Sequence, residues 1–309
     1  MIVAPDPGGA PGRDTADLGA VIVNYESGPA LYRCLAGVRE QGLGEVVVVD
    51  NGSTDGSVDR VRRDMPDVVI IEPGANLGYG SAANRGVAAT RAPYVLVANP
   101  DLEFTPGALG RLAAVLDDDP RCAVVGPLIR TPQGDRYPSA RRFPSLPDAA
   151  GHAVLGIFVP GNRFTRAYQR SDLDGAGPGV REVDWVSGAC FLVRRRAFDD
   201  VGGFDESYFM YAEEVDLCWR LGRRGWRIAY APCAEVVHTQ GLSTEGHPFR
   251  MIVEHHRSLW RFARRTQVGW RRLFLPLVAV GLGVRTVLAS ADRLVGRHRR
   301  PSGAQESRL

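Results

Sequence analysis

The stretch "VVVVDNGSTDGS", residues 46–57, decides the fold. Four consecutive valines leave no polar side chain for a solvated face, so the segment reads as a strand buried on both sides. It stops at Asp50, and the Asn, Gly, Ser and Asp residues behind it supply turn chemistry. Strands of this kind belong to parallel sheets with helices on both faces.

Working outward, similar apolar runs occupy residues 19–23, 68–71 and 94–98. Between them Leu31, Cys34, Leu35 and Val38 repeat at helical spacing, and residues 81–89 are small and Ala-rich. The alternation predicts βαβ crossovers and an α/β, Rossmann-like, mainly parallel central sheet with helices on both faces. Pro and Gly crowd residues 127–181, which reads as loops and hairpins over the sheet. A strand over 183–193, a helix over 212–224 and a short strand over 226–230 follow. After His247 the chain turns Arg-rich, which divides it into a flexible tail (1–17), a main domain (18–245) and a basic helical extension (246–309).

Composition excludes several chemistries. The 309 residues are 44% hydrophobic and 24% charged, as in an ordinary globular protein. All 38 basic residues are Arg, which rules out a P-loop lysine or a Schiff base. From Met251 onward there are 12 Arg against 3 acids, so a basic C-terminal surface is expected and a general nucleic-acid-binding charge is not. Five cysteines without a CxxC pair suggest neither a zinc knuckle nor a disulfide framework. The first residues carry no signal-peptide pattern, so a reduced, cytoplasmic protein is expected.

In open α/β sheets ligands bind beyond the carboxyl ends of the strands. Asn24 and Tyr25 follow the first strand, and the Tyr25 ring offers a stacking face for a base. Asp50 is an acceptor for a pyrimidine imide or a ribose hydroxyl, or else simply starts a polar turn. "GANLGYGSAANRG", residues 74–86, matches a relaxed dinucleotide fingerprint, but in the third unit and with the acid before it. A dehydrogenase is therefore set aside, and Asn76, Gly78 and Asn84 are expected to let backbone approach a nucleotide. Asn99-Pro100-Asp101 places one carboxylate at a strand end, suited to Mg2+ or Mn2+, or else to capping a helix that begins near Pro106. "FMYAEEVDLCWR", residues 209–220, crowds Glu213, Glu214 and Asp216. On a helix Glu213 and Asp216 share a face with Glu214 about 100° round, and Asp216 pairs with Arg220 at i, i+4. The bland alternative is an acidic first turn facing the positive helix end.

"VIVNY", "VVVVDNGSTDGS", "NLGYGSAANRG", "VANPDLEF", "WVSGACFLVRR", "FDESYFMYAEEVDLCWRL" and "VVHTQGLST" occur in an order that resembles glycosyltransferase family 2, of GT-A fold, over roughly residues 18–245. "GPLIRTPQGDRYPSARRFPSL" (126–146) and "HAVLG" (152–156) are similar to the actinobacterial members that move L-rhamnose from dTDP-rhamnose onto decaprenyl-diphospho-N-acetylglucosamine. The resemblance implies an inverting enzyme with a dTDP-sugar donor and a polyprenyl-diphosphate-linked sugar acceptor. It puts Asp50 and Tyr25 at the base, with Asn24 and Asn99 in the same nucleotide-sugar pocket, and Asp101 with His238 on Mg2+ or Mn2+. Glu214 becomes the general base, where the family usually has Asp, and Glu213 its understudy. Trp185, Gly188, Arg141 and Asp216 fall at the transferred sugar or acceptor, with Arg136 and Arg142 near the lipid diphosphate; a buried core Trp and solvated loop arginines are the alternatives.

A nucleotidyltransferase needs a Gly-rich basic loop after the first strand, and "NYESGP" (24–29) does not supply one. A catalytically silent nucleotide-sugar binder is the remaining rival. "LFLPLVAVGLGVRTVLA", residues 273–289, contains Pro276 and Arg285 and falls short of a clean membrane span. Flanked by Arg264, Arg265, Arg271, Arg272, Arg293, Arg297, Arg299 and Arg300, it reads as an interfacial helix on anionic lipid at the inner face of the plasma membrane, with a homodimer surface as the alternative.

Overall fold

The computed structural model describes residues 14–143, 177, 179–239 and 248–296. Most of the expected tail, "HAVLG" and Arg297, Arg299 and Arg300 lie outside the described residues.

Strands β1 (Leu18–Asn24), β2 (Glu45–Asp50), β3 (Val69–Ile71) and β4 (Tyr94–Ala98) are parallel, joined by α1 (Pro29–Glu40), α2 (Ser57–Asp64) and α3 (Tyr79–Ala89). Alternate residues of β1 serve opposite cores. Leu18, Ala20 and Ile22 pack with Leu31, Leu35 and Leu96, whereas Val21 and Val23 pack with Val49, Ala82 and Ala83. Helices cover both faces, so neither face needs polar residues.

The remaining elements are β5 (Leu102–Phe104), α4 (Ala108–Asp118), β6 (Cys122–Arg130), β7 (Arg136–Tyr137), β8 (Ala140–Arg141), β9 (Arg181–Glu182), β10 (Trp185–Val186), β11 (Cys190–Arg194), α5 (Arg195–Asp200), α6 (Glu213–Arg223) and β12 (Arg227–His238). The central sheet runs β3-β2-β1-β4-β11-β6-β12-β5. β11 lies antiparallel between β4 and β6, and β12 runs parallel to β6. The N-terminal end of β11 and the C-terminal ends of β1, β4 and β12 therefore meet at one edge of the sheet.

Two sequence expectations change here. The strand expected over 183–193 is broken: β10 pairs with β8, β11 joins the main sheet, and residues 187–189 step between them. The step is held at both ends, by Ser187 N–H donating to Ser139 O (2.8 Å) and Asn99 N–H donating to Ala189 O (2.9 Å). The short strand over 226–230 instead continues to His238, through a register shift between Ala231 and Glu235.

The C-terminal segment forms α7 (Pro248–Thr266), a 3-10 turn (Gly269–Phe274) and α8 (Leu275–Gly296). α7 packs on the main domain, beyond the boundary expected at 245. Ile252 and Phe262 are buried, Phe262 stacks on Phe143 at 6.4 Å, and Ser258 Oγ donates to Met210 O (2.8 Å). α8 packs on α7 and leaves its apolar surface exposed. Within Gly269–Ala291 an 18-residue window has mean hydropathy 1.9, so by length and composition alone the segment is long and apolar enough to cross a membrane. Pro276 is the second residue of α8, where it does not interrupt the helix, while Arg285 stays within the apolar run.

Candidate active site

A cleft of about 280 Å3 opens at the sheet edge where these strand ends meet. Its lining includes Tyr25, Asn51, Asn76, Asn99, Asp101 and His238 together with Arg141, Trp185, Gly188, Glu213 and Glu214. Met210, Tyr211, His255 and Leu259 complete the wall.

Asp101 precedes β5, and Leu102 of β5 pairs opposite His238 of β12. That pairing sets His238 Nε2 3.0 Å from Asp101 Oδ1 and 3.4 Å from Asn99 Nδ2. Thr239 N–H donates to Asp101 O (3.1 Å), and the Tyr137 ring lies edge-on to the imidazole at 6.3 Å. Asp101 and His238 are 8% and 7% exposed, so only their cleft-facing atoms meet solvent. Two ligands of an octahedral Mg2+ or Mn2+ at about 2.1 Å stand about 3 Å apart along an edge, which this carboxylate–imidazole pair matches. Among the described residues no third His, Cys, Asp or Glu joins them. A cation held by this pair would take its other positions from phosphate and water, as Mg2+ commonly requires.

The acidic cluster opens α6. Glu213 is buried and Glu214 half-buried, and Oε2 of each is enclosed without a hydrogen-bond partner. Burial, then the Glu214 charge, pushes the Glu213 carboxyl well above the usual carboxylate range. Burial also raises Glu214, opposed by its own backbone N–H, the Arg141 guanidinium and the Gly188 N–H. Tyr79 OH donates to Gly188 O, so one turn links the tyrosine to the Glu214 carboxylate. Burial and the two glutamates raise the Tyr79 phenol, which stays protonated as that donor. Arg141 stands over the Trp185 ring at 5.1 Å and donates from Nε to Pro138 O (2.8 Å). Trp185 Nε1 is tied to Arg142 O (2.9 Å).

Just before α6, Tyr211 and Ala212 both adopt left-handed backbone, with φ of 68° and 62°. Such non-glycine residues cost about 1–3 kcal/mol each and persist only where their surroundings fix them. The Tyr79 N–H bond to Phe209 O (3.0 Å) and the Ser258 bond to Met210 O hold the approach to this pair. Asp216, one turn into α6, is fully buried between Arg220 Nε (2.6 Å) and Arg265 Nη1 (3.2 Å). α7 thus clamps the helix that carries the glutamates.

Several residues expected at a ligand do not line the cleft. Asn24 Nδ2 donates to Asp50 Oδ1 (2.7 Å), while Ser53 donates to Asp50 from N–H (3.0 Å) and Oγ (2.6 Å). Asp50 is 2% exposed in this structure and accepts these three hydrogen bonds from its own turn and from Asn24. Its neighbour Asn51 faces the cleft instead, held by Leu77 N–H (3.3 Å) and Gly78 O (3.2 Å). Asn84 joins α3 to the 203–206 turn, accepting from Phe204 N–H (2.9 Å) and donating to Phe204 O (2.9 Å). Gly78 allows a close approach of protein rather than nucleotide, since a Cβ there would lie 2.0 Å from Phe209 O. Asp216 pairs with Arg220 and Arg265 and is outside the cleft lining, as are Arg136 and Arg142. Sequence reasoning passed over Asn51, Tyr79, Tyr137, Ser187, Tyr211, His255 and Leu259. Asn51, Tyr79 and Ser187 sit inside motifs already quoted, where their strand-end position was the available signal. His255 and Leu259 had none, because only the docking of α7 brings them in.

The family described as Glycosyl transferase family 2 matches residues 20–202. The chain is a family 2 glycosyltransferase. A second description, Glycosyl transferase family group 2, matches residues 162–290 of this glycosyltransferase. The enzyme is 42% identical over 306 residues to the N-acetylglucosaminyl-diphospho-decaprenol L-rhamnosyltransferase of Mycobacterium tuberculosis H37Rv, spanning 94% of this chain and 98% of the relative. It is 33% identical over 136 residues to the rhamnosyltransferase WbbL of Escherichia coli K12, spanning 44% and 48% of the two chains. Among solved structures, the mannosyltransferase PcManGT of Pyrobaculum calidifontis in complex with GDP-Man and Mn2+ superposes with a TM-score of 0.58 at 18% identity, over 99% of this chain and 79% of that one. GalNAc-T7 with UDP, GalNAc and Mn2+ gives 0.59 at 16% identity, over 82% and 49%. The glycosyltransferase shares the GT-A fold of these enzymes.

Proposed function

We propose that this glycosyltransferase moves L-rhamnose from dTDP-rhamnose onto a sugar hydroxyl of polyprenyl-diphospho-N-acetylglucosamine, with inversion, in cell-wall or polysaccharide synthesis. The observation that carries the chemistry is that Glu214 and the Asp101–His238 pair line one cleft. The sugar and acceptor rest on the 42% identical relative, whose name states both and whose whole length this chain nearly spans.

The donor nucleoside occupies the lobe of Tyr25, Asn51 and Asn76, with the Tyr25 ring available for stacking. Asp101 and His238 would hold Mg2+ or Mn2+, which supplies positive charge to the departing diphosphate. Glu214 takes the proton of the acceptor hydroxyl as its oxygen bonds to the anomeric carbon. The anomeric C–O bond to the diphosphate breaks, and its electron pair leaves on dTDP. With one base and no protein nucleophile, the displacement is single and the configuration inverts. The environment raises Glu214 while leaving Arg141 and the Gly188 N–H to favour its ionised form, a compromise that suits a base.

The enzyme works at the inner face of the plasma membrane, where α8 and the exposed Arg264, Arg271 and Arg272 meet anionic lipid. The test is a donor screen with Mn2+ and a short-chain polyprenyl-diphospho-N-acetylglucosamine. Transfer from dTDP-rhamnose in preference to UDP- and other dTDP-sugars is expected; transfer of a different sugar, or nucleotide exchange on a sugar phosphate, would overturn the assignment.

A further inference from the structure

We propose that α7 forms the subsite for the diphosphate and first prenyl units of the acceptor, with His255 at the diphosphate and Leu259 and Met210 against the prenyl chain. The inference rests on the lipid-linked acceptor proposed above and places that lipid on a specific element of this chain.

The cleft lining contains two chemically different groups of residues. Asn51, Asn76, Asp101 and His238 are polar and able to take a nucleoside diphosphate. Met210, Tyr211, His255 and Leu259 combine one ionisable N–H donor with apolar surface. Tyr211 and His255 stand edge-to-face with ring centroids 5.0 Å apart, so two elements of the chain form this part of the lining together. Glu213 and Glu214 line the same cleft, and Glu214 is where an acceptor hydroxyl must reach.

An acceptor whose hydroxyl meets Glu214 must send its diphosphate and lipid out of the cleft by another way than the donor. His255 and Leu259 are four residues apart and share one face of α7, with the polar residue first and the apolar residue about 6 Å further along. Beyond Leu259 the helix leads to the turn at Gly269–Phe274, where Trp270 is 68% and Leu273 81% exposed. Arg271 and Arg272 are exposed on that turn, complementing anionic headgroups. The order along the chain is thus base, phosphate-binding donor, apolar contact and membrane-compatible surface. A lipid diphosphate has the same order from its sugar outward. Arg141 also lines the cleft and adds a guanidinium suited to the same phosphates.

Calorimetric titration of the full chain, saturated with dTDP and Mn2+ so that the donor lobe is filled, tests the subsite without depending on the sugar. Farnesyl diphosphate and inorganic pyrophosphate are the probes. His255→Ala is expected to weaken both by about tenfold, the loss of one charge-assisted hydrogen bond. Leu259→Ser should weaken farnesyl diphosphate by about tenfold and leave pyrophosphate unchanged. Affinity for dTDP itself should stay within twofold in both variants, which also reports an intact fold. Unchanged farnesyl diphosphate affinity in the two variants, or a parallel fall in dTDP affinity, would overturn the subsite. A wild-type enzyme that binds farnesyl diphosphate in this pattern yet fails to transfer rhamnose would count against the proposed donor sugar and in favour of the subsite.

Discussion

Gly78→Ala tests whether the catalytic glutamates depend on the contact between α3 and the segment leading into α6. Gly78 sits at φ 85° and ψ 172°, a region that only glycine enters freely, so alanine costs about 1–3 kcal/mol in backbone strain. The new Cβ would lie 2.0 Å from Phe209 O and 2.8 Å from its carbonyl carbon, both backbone atoms that no rotamer change can move aside. Restoring an ordinary contact requires a separation of about 1 Å or more, which also breaks the Tyr79 N–H bond to Phe209 O, worth about 0.5–1.5 kcal/mol. The total, about 2–4 kcal/mol, corresponds to a fall in Tm of about 5–15 °C for a domain of this size. Phe209 lies four residues before Glu213, so the shift reaches the acid–base cluster, and a displacement of about 1 Å there lowers kcat about a hundredfold. Differential scanning fluorimetry and steady-state transfer kinetics at one pH measure both effects. A Gly78→Ala enzyme with wild-type Tm and kcat would refute the coupling between α3 and α6.

Three further outcomes follow from the site. Asp101→Asn should raise the Mn2+ concentration for half-maximal activity by about 10–100-fold, the usual scale for a weakened metal site; an unchanged metal titration would remove Asp101 from the cation. Tyr79→Phe frees the Gly188 turn and loosens its N–H from Glu214, so the acid limb of kcat/KM should move to higher pH while donor KM is kept, and an unmoved limb would make Tyr79 merely a packing residue. Glu213→Gln should stabilise the fold at pH 8 by about 1–3 kcal/mol, because the amide removes the cost of desolvating a charge beside Glu214. Because the folded carboxyl is raised, the wild type has its full stability only below the ordinary carboxylate range and loses it as pH rises through the raised value. The gain should therefore vanish near pH 4, and a gain equal at both pH values would contradict the buried, raised state of Glu213.

The parallel half of the sheet was legible because its signal is local: four valines before Asp50, and the five buried residues of Tyr94–Ala98, need no distant partner to read as strands. β11 was not legible as a separate strand, because the break at 187–189 is fixed by Ser139 and Asn99 from elsewhere in the chain. The same distinction divides the site. Asp101 stood out by its strand-end position, yet its 3.0 Å approach to His238 depends on β5 pairing with β12 across 137 residues. Asp50 was also at a strand end, but it accepts hydrogen bonds from Ser53 and Asn24, and such side-chain partners are not visible in a pattern of apolar runs. Asp216 behaved as helical spacing anticipated, with Arg265 as the unforeseen second partner. Some of the basic charge assigned to a membrane surface is therefore spent inside the protein.

Glu214 is the residue on which the proposed chemistry depends. Its side chain lies against Gly188, where an added Cβ would stand 3.6 Å from Glu214 Cβ and Cδ. The most direct measurement is single-turnover transfer by Glu214→Gln, with dTDP affinity measured on the same sample. The account predicts a rate lower by about 10²–10⁴, the contribution of a general base, with dTDP affinity within twofold of wild type. Transfer at the wild-type rate would contradict it.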